Sequence, residues 1–123
     1  MENASNLINK YPGRVPIIFA KKARDPLGDL DKTKYLIPED MSFGQVVCVL
    51  RKRLRIPAHK ALFVISSHGR LISSSSFVSV IYEKEKSVDG YLRLTYASEN
   101  AFGASDLFNA KKVLNVNEQF NLG

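Results

Sequence analysis

The feature that most constrains the fold is one amphipathic helix pattern in the middle of the chain. Ser42 followed by Gln45 is a capping-box sequence, in which the serine hydroxyl accepts from the Gln45 amide and the Gln45 side chain accepts from the Ser42 amide. Pro57 ends the helix. Cationic residues lie largely outside the apolar stripe and are concentrated in the last turns of the helix. The apolar residues recur at three- and four-residue spacing: Phe43, Val46, Val47, Leu50 and Leu54.

Short β-prone segments flank this helix. Residues 15–20 (VPIIFA) are apolar on both faces, which predicts a strand that is covered on both sides or lies near a sheet edge. Residues 34–37 (KYLI) predict a second strand, stopped by Pro38 and hairpinned with the first. Residues 62–65 (LFVI) and 91–96 (YLRLTY) predict two more strands, the last with Leu92, Leu94 and Tyr96 on one face.

A second, short helix is predicted over residues 77–84. Ser75 or Ser76 is placed to cap it, and Phe77, Val80 and Ile81 are helically spaced apolar residues. The order is then β-β-α-β-α-β. This order predicts an α+β fold, a ubiquitin-like β-grasp with a four-stranded mixed sheet packed on the main helix. A chain of 123 residues, 45% of them hydrophobic, fits one such domain.

The composition argues against several kinds of chemistry. Cys48 with His59 or His68 lacks an orienting third group, and a lone cysteine in an apolar helical run is expected to pack rather than react. These residues have no zinc-ligand spacing, and no glycine-rich loop ends in Gly-Lys-Ser/Thr, so we expect no metal and no cofactor. The basic run at residues 51–55 is read as a solvated helix face, with a nucleic-acid footprint as the alternative.

The net charge of +6 favours an acidic partner, which leaves acidic peptides, anionic lipid and nucleic acid open. The N-terminal residues show no secretory signal, and the longest apolar runs are far below the ~20 residues that span a bilayer. One cysteine allows no internal disulfide and fits a reducing compartment. We therefore expect a cytoplasmic protein whose membrane attachment, if any, is covalent or borrowed.

The predicted second strand suggests a binding function. If it lies at the sheet edge, its free backbone groups can pair with an extended peptide. Lys34 and Leu36 would then face one pocket, and Tyr35 and Ile37 the other. A hairpin strand with a protected edge is the alternative, and the pattern leaves both open. The pair Phe102 and Gly103, taken alone, is compatible with an ordinary loop glycine.

Several segments, in order, resemble one family. The match runs from Lys10 to Gly103, and the chain resembles the autophagy-related protein eight family, lipid-conjugated ubiquitin-like modifiers that include the GABA type A receptor-associated protein. The segments are KYPGRVP (10–16), GDLDK (28–32), KYLIP (34–38), GQ (44–45), RKR (51–53), IY (81–82) and YASENAFG (96–103).

The resemblance implies a use for the C-terminal end. In that family a cysteine protease cuts after the glycine of the Phe-Gly pair, and ubiquitin-like activating and conjugating enzymes join the glycine to phosphatidylethanolamine. By this resemblance Phe102, Gly103 and Ala104 form the cleavage and lipidation site. Residues 1–9 would be a short N-terminal helical segment, 10–103 the ubiquitin-like domain, and 104–123 a propeptide. Two acyl chains give stable anchoring, whereas one binds only reversibly.

The resemblance also implies a peptide site. The family binds partners that carry an aromatic-x-x-aliphatic motif, often preceded by acidic residues, by adding the peptide to the second strand. Arg14, Lys32 and Lys34 would meet those acidic residues. The aromatic pocket would be lined by Leu7, Pro16, Ile18, Lys34, Leu36 and Tyr91. The aliphatic pocket would be lined by Tyr35, Ile37, Pro38, Met41, Val46, Val49 and Arg53.

Three departures from the family pattern stand out. Only residues 1–9 precede Lys10, room for roughly two helical turns, so the first of the family's two N-terminal helices is expected to be missing. Val46 replaces a larger aromatic residue, which predicts a roomier pocket. Ala104 follows the glycine where a bulkier residue is common. We expect a monomeric, non-enzymatic autophagy modifier that recruits cargo receptors to the autophagosome membrane, with a soluble peptide-binding adaptor that is never lipidated as the alternative.

Overall fold

The structure, a computed structural model, describes residues 3–98. Three helices and four strands follow one another along the chain: α1 (Ala4–Lys10), β1 (Arg14–Lys21), β2 (Lys34–Pro38), α2 (Phe43–Leu54), β3 (Phe63–Ser66), α3 (Val78–Glu85) and β4 (Leu92–Ala97). After α1, the order is the predicted β-β-α-β-α-β. The strands form one sheet in the order β2-β1-β4-β3.

The sheet is mixed and has β1 near its middle. β1 pairs antiparallel with β2 and parallel with β4, and β3 pairs antiparallel with β4. The hairpin of the first two strands is therefore confirmed. Val15, Ile17 and Phe19 of β1 face the main core, while Pro16, on the other face, is also buried. The prediction allowed a strand covered on both sides or one near a sheet edge: β1 lies next to the edge strand β2, and its second face is covered only in part, because Ile18 is half-buried and Ala20 is exposed.

Helix α2 covers one face of the sheet. Phe43, Val46 and Leu50 are buried in the main core, where the predicted stripe meets side chains from β1 and β4. Burying each such side chain contributes roughly 1.5–3 kcal/mol. The capping box is present: the Ser42 hydroxyl accepts from the Gln45 amide at 3.3 Å, and the Gln45 side chain accepts from the Ser42 amide at 3.1 Å.

The prediction for the start of α3 is wrong. The N-cap is Phe77 and no serine side chain caps the helix. The first free amides of α3 are satisfied by the loop before α2 instead: the Val78 amide donates to the Met41 carbonyl at 2.9 Å, and the Ser79 amide to the Glu39 carbonyl at 3.0 Å. Val78 and Ile81 of this helix are buried, whereas Phe77 and Val80 are exposed.

The expectation that Cys48 packs in the core is also wrong. Its side chain is exposed. Cys48 lies two positions from both Val46 and Leu50, which places it on the opposite side of α2 from these buried residues, because consecutive residues of a helix are about 100° apart. The remaining element boundaries differ from the predicted ones by one or two residues, and β3 is shifted by one towards Ser66.

Candidate functional site

Among residues 3–98, strand β2 lies at the edge of the sheet and pairs only with β1. The Phe19 amide donates to the Thr33 carbonyl at 2.8 Å, which sets the alternation of hydrogen-bonded pairs along the hairpin. Tyr35 and Ile37 therefore turn their backbone groups towards β1, whereas Lys34 and Leu36 turn theirs outwards. The partner of Leu36 is Pro16, which has no amide hydrogen to offer.

The side chains of β2 divide between the two faces of the sheet as the alternation predicted. Tyr35 and Ile37 pair with Ile17 and Val15, which face the core and α2. Lys34 and Leu36 pair with Ile18 and Pro16 on the other face. A peptide lying along this edge would therefore meet a different set of side chains above and below it.

An apolar pocket of about 150 Å³ opens between β2 and α2. All the residues that the resemblance assigned to the aliphatic pocket line it. Phe19 and Leu50 also line this pocket, and neither was predicted as a site residue. Their positions in the core-facing alternation of β1 and in the apolar stripe of α2 are the sequence features that indicate them. The full lining, here called the apolar pocket, is Phe19, Tyr35, Ile37, Pro38, Met41, Val46, Val49, Leu50 and Arg53.

Tyr35 organises one wall of this pocket. Its ring meets the Phe19 ring edge-on, with centroids 5.6 Å apart and planes at 71°. The Arg53 guanidinium carbon lies 5.7 Å from the centroid of the same ring, within the range of a cation–π contact. The Tyr35 hydroxyl oxygen is buried and has no hydrogen-bond partner among residues 3–98. This wall is thus largely aromatic, with one cation against it.

The residues assigned to the aromatic pocket lie on the other face of the sheet. Pro16 and Leu36 are cross-strand partners, as are Ile18 and Lys34. Tyr91 precedes β4 and is buried, so it lies beneath this surface. Helix α1 packs against β1 and brings the half-buried Leu7. The register therefore places Pro16, Ile18, Lys34 and Leu36 on one strip beside the β2 edge, and Leu7 lies on the helix that packs against β1.

The three cations assigned to acidic residues do not form one cluster. Lys34 begins β2 and Lys32 precedes it, whereas Arg14 is the cross-strand partner of Pro38 at the other end. The Arg14 side chain reaches across the edge and donates to the outward-facing Leu36 carbonyl at 3.0 Å. Acidic groups at the two ends of a bound peptide would consequently meet different cations.

The cleavage and lipidation residues Phe102, Gly103 and Ala104 lie outside the described residues. The last described residue, Ser98, is buried, and its amide donates to the Asp25 carboxylate at 2.7 Å. Within residues 3–98, no helix has the length and apolarity needed to cross a bilayer.

Within residues 3–98, a mixed four-stranded sheet packs on one main helix, and its edge strand borders an apolar pocket, which is the architecture of a ubiquitin-like protein. The comparison with family models is specific: residues 1–103 match the model described as autophagy protein Atg8, ubiquitin like. The chain belongs to the Atg8 family.

Individual relatives agree with this assignment. The chain is 42% identical over 104 residues to autophagy-related protein 8a of Arabidopsis thaliana, covering 85% of this chain and 84% of the relative. It is 38% identical over 105 residues to autophagy-related protein 8 of Kluyveromyces lactis, with 85% and 84% covered. The crystal structure of Trypanosoma brucei ATG8 superposes with a TM-score of 0.74 at 40% identity, covering 81% of this chain and 85% of that one.

Proposed function

We propose that this protein is a ubiquitin-like autophagy modifier that binds aromatic-x-x-aliphatic peptides along β2 and is conjugated to phosphatidylethanolamine through Gly103. The observation that carries the proposal is the pairing of a free strand edge with the apolar pocket. In this account the protein recruits cargo receptors and other autophagy factors to the autophagosome membrane.

The spacing of the peptide motif fits the two faces of the β2 edge. Successive side chains of an extended strand alternate, so residues three positions apart point to opposite faces. An aromatic residue beside Lys34, on the face that also carries Pro16 and Leu36, would therefore be followed, three residues later, by an aliphatic residue beside Ile37 that points into the apolar pocket. The direction from the first contact to the second follows β2 itself, which predicts a peptide parallel to it.

The conjugation half of the proposal is supported by sequence. The family match ends at Gly103, and a further stretch, residues 104–123, follows it. A glycine at the new C-terminus presents an unhindered carbonyl, because no Cβ shields it from the protease or the conjugating enzymes. Two acyl chains contribute ~0.8 kcal/mol for each buried methylene, enough to hold a soluble domain at a membrane.

Two variants separate the two halves of this function. Gly103→Ala is expected to keep peptide binding and to lose membrane association after incubation with the processing protease, the conjugating enzymes and liposomes. Val49→Glu is expected to do the reverse, because Val49 lines the apolar pocket and is 40% exposed. Val80→Glu is the matched control, since Val80 is 43% exposed on α3 and does not line that pocket.

The readouts are liposome flotation and the dissociation constant of a synthetic peptide. A protein that binds peptide but never floats, with or without the Gly103 change, would instead be the soluble adaptor. Equal loss of peptide binding in Val49→Glu and Val80→Glu would refute the assignment of the apolar pocket.

A further inference from the structure

A second cavity, here called the cleft, lies between α1, the start of β1 and α3. It measures about 250 Å³ and is lined by Ile8, Gly13, Arg14, Val15, Pro16, Glu39, Ser79, Tyr82 and Glu83. Sites for drug-sized ligands are typically about 300–1,000 Å³. The cleft is therefore better suited to a single long side chain than to a cofactor.

The lining of the cleft combines apolar side chains with two carboxylates. Ile8, Pro16 and the Tyr82 ring supply apolar surface. The Tyr82 hydroxyl donates to the Gly90 carbonyl at 2.7 Å. Burial, with Glu83 and Asp89 adding to it, raises the pKa of Tyr82 above its ordinary 10.0, so the ring edge stays uncharged. A long aliphatic stem would lie well against this surface.

Among the described residues, one of the two carboxylates is unpaired and the other makes a single long ion pair at the surface. Within the described residues, the Glu39 side chain makes no ion pair or hydrogen bond, although its amide is fixed to the Gly13 carbonyl at 3.0 Å. The Glu83 carboxylate is 74% exposed and its nearest cation, the Lys86 ammonium, lies 3.9 Å away. The one cation of the cleft, Arg14, already donates to the Leu36 carbonyl.

The cleft continues the path of the proposed peptide. Pro38 lines the apolar pocket, and the next residue, Glu39, lines the cleft. A peptide that runs parallel to β2 with its aliphatic residue in the apolar pocket would pass Pro38 and then reach Glu39. One residue of an extended chain spans about 3.3 Å, so the first three residues after the aliphatic one come within reach.

We infer that the cleft binds a lysine or arginine side chain that follows the aliphatic residue of a bound peptide, with its stem on Ile8 and Pro16 and its cation between Glu39 and Glu83. This inference rests on the proposed function and names a specificity of the same site. It predicts that this protein prefers motifs that are acidic before the aromatic residue and basic after the aliphatic one.

A matched set of synthetic peptides tests the inference by isothermal titration calorimetry. The peptides share one acidic-aromatic-x-x-aliphatic sequence and carry Lys, Ala or Glu at the first, second or third position after the aliphatic residue. The best-placed Lys peptide is expected to bind about twofold to thirtyfold more tightly than its Ala counterpart, the range given by two exposed ion pairs. The preference should shrink as NaCl rises from about 0.05 M to about 0.5 M.

Variants of this chain identify the carboxylates. Glu39→Gln with Glu83→Gln is expected to abolish the preference for Lys and to leave the Ala peptide unchanged. Asp40→Asn is the control, because it removes one negative charge next to Glu39 from a residue that does not line the cleft, and it should retain the preference.

Each outcome bears on one of the two proposals. If Lys and Ala peptides bind equally, or if the preference survives the double variant, the inference about the cleft is wrong while the β2 site stands. If the Glu peptide binds most tightly, Arg14 is the determinant and the inference is wrong. If none of the peptides binds, the proposed function itself fails, and the inference with it.

Discussion

Asp25 is expected to be the most stabilising single carboxylate in the loop between β1 and β2. It is 5% exposed, and its two oxygens accept three hydrogen bonds: from the Leu27 amide at 2.8 Å, the Ser98 amide at 2.7 Å and the Ser98 hydroxyl at 3.2 Å. The two bonds from Ser98 join the loop to the end of β4, and the bond from Leu27 lies within the loop. Asp25→Ala removes the acceptor for all of them at once.

The magnitude follows from the burial of each donor. The Ser98 amide is buried, so leaving it without an acceptor costs about 1–3 kcal/mol. The Leu27 amide is only half-buried, so water replaces part of its bond, and the loss is about 0.5–1 kcal/mol. The hydroxyl can rotate to another partner. We therefore expect Asp25→Ala to lower the free energy of unfolding by about 1.5–4 kcal/mol.

Urea denaturation of the full chain measures this loss. Asp29→Ala is the control, because Asp29 lies in the same loop and forms an ion pair with Lys21 at 3.0 Å, but the Asp29 side chain is 83% exposed. Exposed pairs contribute about 0–1 kcal/mol. If Asp25→Ala destabilises the protein no more than Asp29→Ala does, the Asp25 hydrogen bonds do not hold the end of β4, and the argument is refuted.

Two further predictions concern a glycine that contacts α1 and a carboxylate beside β4. Gly90 has a φ of +88°, and a Cβ there would lie 3.0 Å from the Ala4 Cβ, so Gly90→Ala should loosen α1 and accelerate hydrogen exchange of the α1 amides. Gly69→Ala is the control, because Gly69 has a φ of +78° but open space around it. This variant should lose only the backbone contribution to stability of about 1–2 kcal/mol. The hydrogen bond from the Arg93 side chain, together with the one from the Tyr91 amide, lowers the pKa of Asp89 below its ordinary 3.8. The Asp89 carboxylate therefore contributes stability above pH 3.8, and this contribution is lost as the pH falls through its pKa in the folded protein. Arg93→Gln should move the Asp89 pKa, followed by NMR, towards 3.8, and an unchanged value would contradict the assignment.

The parts of the fold that depend on neighbouring residues could be predicted from the sequence. The capping box at Ser42 forms as expected, because both of its bonds lie within four consecutive residues. The two faces of β2 follow from alternation alone. That β2 is an edge strand could only be stated as one of two alternatives, since edge position depends on the order of all strands in the sheet.

The parts of the fold that depend on tertiary contacts could not be predicted from the sequence. The start of α3 is set by carbonyls of Met41 and Glu39, far away in sequence, and these override the local serine signal. The separation of Arg14 from Lys34 depends on the register of β1 with β2. The cleft is assembled from α1, β1 and α3, so no single segment carries a signal for it.

Amide hydrogen exchange at the β2 edge tests the central claim most directly. Lys34 and Leu36 turn their amides outwards, so in the free protein these amides should exchange much faster than those of Tyr35 and Ile37, which face β1. Adding a saturating aromatic-x-x-aliphatic peptide should slow exchange at Lys34 and Leu36, because a parallel strand supplies acceptors for them. If the peptide binds and leaves both amides as fast as before, it is not held as an added strand on β2, and the account of this site is wrong.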